Sequence, residues 1–79
     1  MNNNVKEFVL EYLQREYTIE CDDIMNLNYV ETGYVDSIGL IGFVATLEDE
    51  FGIEFSEEDM ESPDFKVVGK LIELISQKL

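Results

Sequence analysis

Seventy-nine residues make one small domain, which buries only about 60% of the surface its unfolded chain exposes. Hydrophobic residues at 46% nevertheless suffice for one compact core and argue against wholesale disorder. Five Lys and Arg against eighteen Asp and Glu leave a net charge of −13. That charge excludes nucleic acid as a partner, disfavours insertion into an anionic membrane, and favours a basic protein surface.

The opening MNNNVKEF lacks a charged segment followed by an apolar run, so no secretory signal is read there. No stretch approaches the roughly 20 apolar residues of a membrane span, and a cytoplasmic protein is expected. Val5, Phe8, Val9, Tyr12 and Leu13 then recur at helical spacing and predict a first amphipathic helix. From Tyr17 to Val35 the period fades. Asn26, Asn28, Thr32 and Gly33 favour turns, so this segment reads as a long loop pinned by Ile19, Ile24, Leu27 and Val30. A loop of that length is often functional. Cys21 within it is the only cysteine, which rules out an internal disulfide and a zinc cluster. Its neighbours Glu20, Asp22 and Asp23 disfavour a thiolate, so it is read as a half-buried spectator.

The segment GYVDSIGLIGF, residues 33–43, turns apolar immediately after Asp36-Ser37. A second helix is predicted from about Ser37 to Phe51, with Leu40, Phe43, Val44, Leu47 and Phe51 facing the core. On a wheel of about 100° per residue, Ile38, Ile41 and Ala45 form a second apolar strip beginning beside Ser37, with Glu48, Asp49 and Glu50 at its far end. This strip is either a docking surface or the margin of a wide core face. Gly39 and Gly42 flank it, each costing about 1 kcal/mol against alanine in a helix interior, and their bareness would let another surface approach. Ser37 itself is either a simple helix cap or a point of attachment.

Gly52 is the expected stop of the second helix. Ser56-Glu57-Glu58-Asp59 resembles a capping arrangement and predicts a short third helix near 57–61, ended by Pro63. Val68, Leu71, Ile72, Ile75 and Leu79 mark the last helix, with Lys78 near its C-terminus. The expected fold is all-α: a small four-helix bundle with one short helix and a long loop between the first and second, spanning 1–79 as a single domain.

Enzymatic readings fare poorly. With no histidine, neither a Ser-His-Asp nor a Cys-His constellation can form. No acidic stretch has the glycine register of an EF-hand, so no metal site is read. Carboxylate-based glycoside chemistry has little room for a cleft in a domain this small.

The stretch GYVDSIGLIGFVATLEDEFGIEF resembles the acyl carrier protein family around its phosphopantetheine attachment site. The likeness rests on Gly33, the Asp36-Ser37-Ile38 triplet, Leu47, the acids Glu48-Asp49-Glu50 and Phe51. It continues through the short acidic helix into DFKVVGKLIELI. The resemblance implies that Ser37 carries 4′-phosphopantetheine, transferred from coenzyme A by a separate phosphopantetheinyl transferase, with Asp36 beside the cofactor. The missing histidine is thereby explained, since the transferase supplies the base. The resemblance further implies a freestanding, non-catalytic carrier that holds an acyl or aminoacyl group as a thioester, while the mutual repulsion of so much like charge predicts a monomer. It would present that group to a loading ligase and downstream acyl-processing enzymes bearing basic patches, through Ile38, Ile41, Ala45, Glu48 and Asp49. The space between the helices would shelter an acyl chain. Gly39 and Gly42 depart from fatty-acid carriers, and GYVDSIGL is closer to peptidyl and D-alanyl carriers, which points to a specialised biosynthetic pathway. Val67 replaces a frequent capping threonine, leaving Ser62 or Asp64 to cap the last helix. The rival reading is an acidic helical interaction module in which Ser37 is unmodified and serves only as an N-cap.

Overall fold

The computed structural model describes residues 3–79 and is all-α, with α1 at Asn3–Tyr17, α2 at Ser37–Phe51, α3 at Glu57–Glu61 and α4 at Val68–Lys78. Two 3₁₀ turns, Ile24–Asn26 and Pro63–Lys66, complete the element order. Pro63 thus follows the third helix but also opens a further turn, at a first position where its missing N–H costs nothing.

The apolar stripes converge on one core. Val5, Val9 and Leu13 of α1 meet Leu71, Ile72 and Ile75 of α4, all with no exposed surface. From α2 come Phe43, Val44 and Leu47. Rings join α2 to α1: Tyr12 stacks on Phe43 with centroids 4.8 Å apart, and Phe8 meets Phe51 edge-on at 5.3 Å. Fully burying a side chain of this size contributes about 1.5–3 kcal/mol, so the three long helices are held chiefly by their stripes.

The connection from α1 to α2 is more ordered than its lack of period implies. Ile19 is buried, and Ile24, Leu27 and Val30 pack partly buried against the core. Two further residues, Tyr29 and Val35, are wholly buried. An isolated antiparallel bridge pairs Asn28 with Val67, flanked by Tyr29 N–H donating to the Lys66 carbonyl (3.1 Å) and Val68 N–H donating to the Leu27 carbonyl (3.1 Å). The buried Tyr29 hydroxyl donates to the Phe65 carbonyl. Burial pushes that phenol well above the usual tyrosine range.

The short helix α3 is built on a reciprocal capping box. Ser56 Oγ accepts from Asp59 N–H (3.1 Å), and Asp59 Oδ2 accepts from Ser56 N–H (3.0 Å). Lys78 Nζ lies 2.8 Å from the same Asp59 oxygen, tying α3 to the end of α4. Three sequence expectations need correction. Cys21 is exposed, because the loop carries it outside the residues that pin it. Leu79 follows α4 and is exposed too. Ser62 Oγ accepts from Asp64 N–H, at the 3₁₀ turn. Neither Ser62 nor Asp64 caps α4, whose N-cap is Val67 with no side-chain hydrogen bond. The bridge to Asn28 positions that end instead.

Candidate functional site at the start of the second helix

Helix α2 begins where Asp36 leaves extended backbone (φ −85°, ψ −179°). Asp36 Oδ1 accepts the N–H of Gly39 at 2.7 Å, and the Asp36 carbonyl accepts that of Leu40 at 2.8 Å. Asp36 is therefore the N-cap, and Ser37 is the first helical residue. This corrects the reading of Ser37 as a cap: its hydroxyl is exposed and spends nothing on the helix. A helix leaves its first N–H groups without intrahelical partners. With Gly39 satisfied, those of Ser37 and Ile38 remain open at the positive end of the helix dipole. No acid lies in the first turn of α2. A phosphodiester on Ser37 Oγ would thus meet unspent amide donors and a favourable dipole, so the residues fit such a group.

Tyr17, at the end of α1, leans on this turn. Its Oη lies 2.6 Å from the point a Cβ on residue 39 would occupy, and Asp36 Oδ1 lies 3.1 Å from the same point. Gly39 is therefore crowded by a neighbour inside the molecule, and a side chain there would have to displace the Tyr17 hydroxyl. Burial, followed by the charges of Tyr12, Asp36 and Glu16, raises the Tyr17 phenol above its ordinary value. Gly42 differs: nothing lies within 4 Å of its would-be Cβ, and it is exposed.

The second apolar strip stands clear of the core. Ile38 is 82% exposed and Ile41 70% exposed, with Ala45 and Asp49 exposed along the same helix. Gly42 lies among them. Glu48 is half-buried, and its Oε2 accepts the N–H of Phe55 at 2.9 Å, so one of its oxygens is committed to the chain following α2. The end of α2 is made by Gly52 in the left-handed region (φ 65°), with its N–H on the Glu48 carbonyl. Sequence reasoning missed Tyr17 as a neighbour of the turn that opens α2. The signal available was a tyrosine at the last turn of α1 paired with an unexplained glycine on α2.

Compared with known proteins, residues 7–75 match the model of the phosphopantetheine attachment site family. An acyl carrier protein of Lactobacillus acidophilus is 31% identical, over 92% of this chain and 85% of its own. An acyl carrier protein of Buchnera aphidicola is 29% identical, over 96% of this chain and 95% of its own. A D-alanyl carrier protein of Streptococcus suis is 27% identical, over 91% of this chain and 96% of its own.

Proposed function

We infer the function from one premise: the chain belongs to the phosphopantetheine attachment site family, and is a carrier domain to which phosphopantetheine is attached. On this reading Ser37 is the attachment residue. The observation that carries it is the division of labour at the start of α2, where Asp36 caps the helix and leaves the exposed Ser37 hydroxyl unspent. A serine needed only as a cap would not be displaced by its neighbour.

In the modification, Ser37 Oγ forms a new bond to phosphorus as a pyrophosphate P–O bond of coenzyme A breaks. The adenosine bisphosphate half leaves, and the hydroxyl proton passes to a base on the phosphopantetheinyl transferase, since this chain has no histidine to take it. When attached, the group supplies a thiol on a flexible arm, able to hold an acyl or aminoacyl unit as a thioester. The Ser37 and Ile38 N–H groups would offer donors to the phosphodiester anion. Asp36 keeps the turn closed through Gly39. Ile38, Ile41 and Ala45 offer the apolar part of a docking face, Asp49 its charge, and Glu48 the carboxylate oxygen left free by Phe55.

The finer reading is a non-catalytic, monomeric, cytoplasmic carrier, with 1–79 as one carrier domain. It serves a loading ligase and acyl- or aminoacyl-processing enzymes of a specialised biosynthetic pathway. One core running from Val5 to Ile75 supports the single domain. Among the described residues no helix is long and apolar enough to cross a membrane.

The test is intact mass after incubating demonstrably unmodified protein with coenzyme A and a broad-specificity phosphopantetheinyl transferase. One added phosphopantetheine on wild type and none on Ser37→Ala is expected. Absence of any gain on wild type, or an equal gain on Ser37→Ala, overturns the assignment.

A further inference from the structure

Resting on the carrier reading, we propose that Tyr29 and Phe43 set the cargo class by filling the space an aliphatic chain would need. Cargo on Ser37 then stays outside the bundle and is short or polar. This departs from the expectation that the interior shelters an acyl chain. A chain tethered beside the first turn of α2 would have to enter along Phe43, Val44 and Leu47, the residues that α2 buries. Two rings pack on Phe43. Tyr12 stacks on it at 4.8 Å and 17°, and Tyr29 meets it edge-on at 5.8 Å and 88°. Neither Tyr29 nor Phe43 has exposed surface.

Tyr29 is also held at four points. Its hydroxyl donates to the Phe65 carbonyl, and its N–H donates to the Lys66 carbonyl at 3.1 Å. Its carbonyl accepts from Val35 N–H at 2.9 Å, and its ring edge rests on Phe43. A side chain that merely filled space could swing aside for a ligand. Swinging this one breaks a buried hydrogen bond and leaves the Phe65 carbonyl without its donor. Phe65 is itself fully buried and braced edge-on by Phe55 at 5.2 Å. Two hollows, of about 330 and 300 Å³, lie against α4. Glu58, Asp59, Asp64, Lys70 and Glu73 line the first, and α2 contributes to neither. On the buried face of α2, by contrast, the space around Phe43 is taken by the rings of Tyr12 and Tyr29.

The experiment loads the intact protein from acetyl-coenzyme A and from octanoyl-coenzyme A with a broad-specificity phosphopantetheinyl transferase. Intact mass verifies one adduct, and thioester cleavage by hydroxylamine is then timed. A chain sheltered nine-tenths of the time would react about tenfold more slowly. The expected result is octanoyl and acetyl rates within about twofold, with ring resonances of Tyr29 and Phe43 unmoved by octanoyl. Tenfold protection of octanoyl, or displacement of those resonances, overturns the proposal while leaving the carrier intact. Failure to form any adduct on wild type instead removes the carrier reading on which it rests.

Two variants then test which residues bar the chain. Tyr29→Leu strands the Phe65 carbonyl, so Phe43→Leu is made alongside it, and each is used only where circular dichroism shows native helicity. Octanoyl, but not acetyl, is expected to gain at least about threefold protection in the folded variant. If Phe43→Leu folds and octanoyl is cleaved as fast as in wild type, Tyr29 and Phe43 do not set the cargo class.

Discussion

At the scale of single residues, Asp36 and Ser37 divide two tasks that the sequence leaves entangled. Removing the cap by Asp36→Ala should cost about 1 kcal/mol, the usual worth of an N-cap. Ser37→Ala should stay within about 0.5 kcal/mol of wild type, as expected for an exposed residue that caps nothing. Urea unfolding monitored by circular dichroism separates them, and equal losses would contradict the hydrogen-bond geometry. The two glycines of α2 also part company. Gly42→Ala should stabilise by about 0.5–1 kcal/mol, because alanine is the better helix former and meets only open space. Gly39→Ala should gain nothing, since its methyl would sit 2.6 Å from the Tyr17 hydroxyl oxygen. Combining it with Tyr17→Phe removes that nearest atom and should release the gain. A double-mutant cycle in urea reads the coupling, and strict additivity would show that Tyr17 and residue 39 are independent.

Among the elements, the helices were the legible part of the sequence, and the joints between them were not. Val5, Val9 and Leu13, and likewise Leu71, Ile72 and Ile75, declare their helices because a buried face must repeat with the helical period. The Ser56–Asp59 box declares α3 through local hydrogen bonding. Tyr29 and Val35 could not be picked from the loop, where no period exists and burial depends on tertiary partners; those of Tyr29, Phe65 and Lys66, lie 36 residues or more along the chain. For the same reason α4 has an apolar N-cap: a bridge from Asn28, invisible to local rules, fixes it. The turn at Asp36-Ser37 could be located because its hydrogen bonding is local, whereas Tyr17 comes from another helix. The α3–α4 tie gives a test with a defined sign. The hydrogen bond from Lys78, then those from Ser56, hold the Asp59 carboxyl below its ordinary value of 3.8. The unfolded chain therefore binds the proton first as pH falls. The stabilisation is fully present above the ordinary carboxylate range and is lost as pH drops through the depressed value. Asp59→Asn should cost about 0.5–1 kcal/mol at neutral pH, in the range of exposed ion pairs. Thermal melts of both proteins should converge below that range; a constant gap down to acid pH would exclude the carboxylate as its source.

For the whole molecule, the distribution of charge matters more than its sum. All five cations lie at the two ends of the sequence, at Lys6, Arg15, Lys66, Lys70 and Lys78; residues 16–65 contain none. The segment carrying Ser37 and all of α2 is therefore an unbroken anionic stretch, folded into a body of 28 × 25 × 19 Å. At about 0.01 M ionic strength the Debye length is roughly 30 Å, longer than any dimension of the molecule, so every pair of like charges contributes. A pair about 15 Å apart repels by about 0.3 kcal/mol in water before screening, and a net −13 multiplies this across many pairs. Unfolding relieves the strain by spreading the charges. Raising NaCl from 0.01 to 0.5 M, where screening acts over only a few ångströms, should add a few kcal/mol of stability and raise Tm by about 10 °C or more. The same field should act with the opposite sign on association. Steering toward a basic transferase weakens as it is screened, so the second-order rate of Ser37 loading should fall across the same salt series. Calorimetry and timed mass spectrometry on one set of samples give both slopes. A flat Tm would show that the anionic stretch does not load the fold. A loading rate that does not fall, with the transferase shown to be stable across the series, would remove charge from the recognition of this face and leave Ile38, Ile41 and Ala45 to account for it.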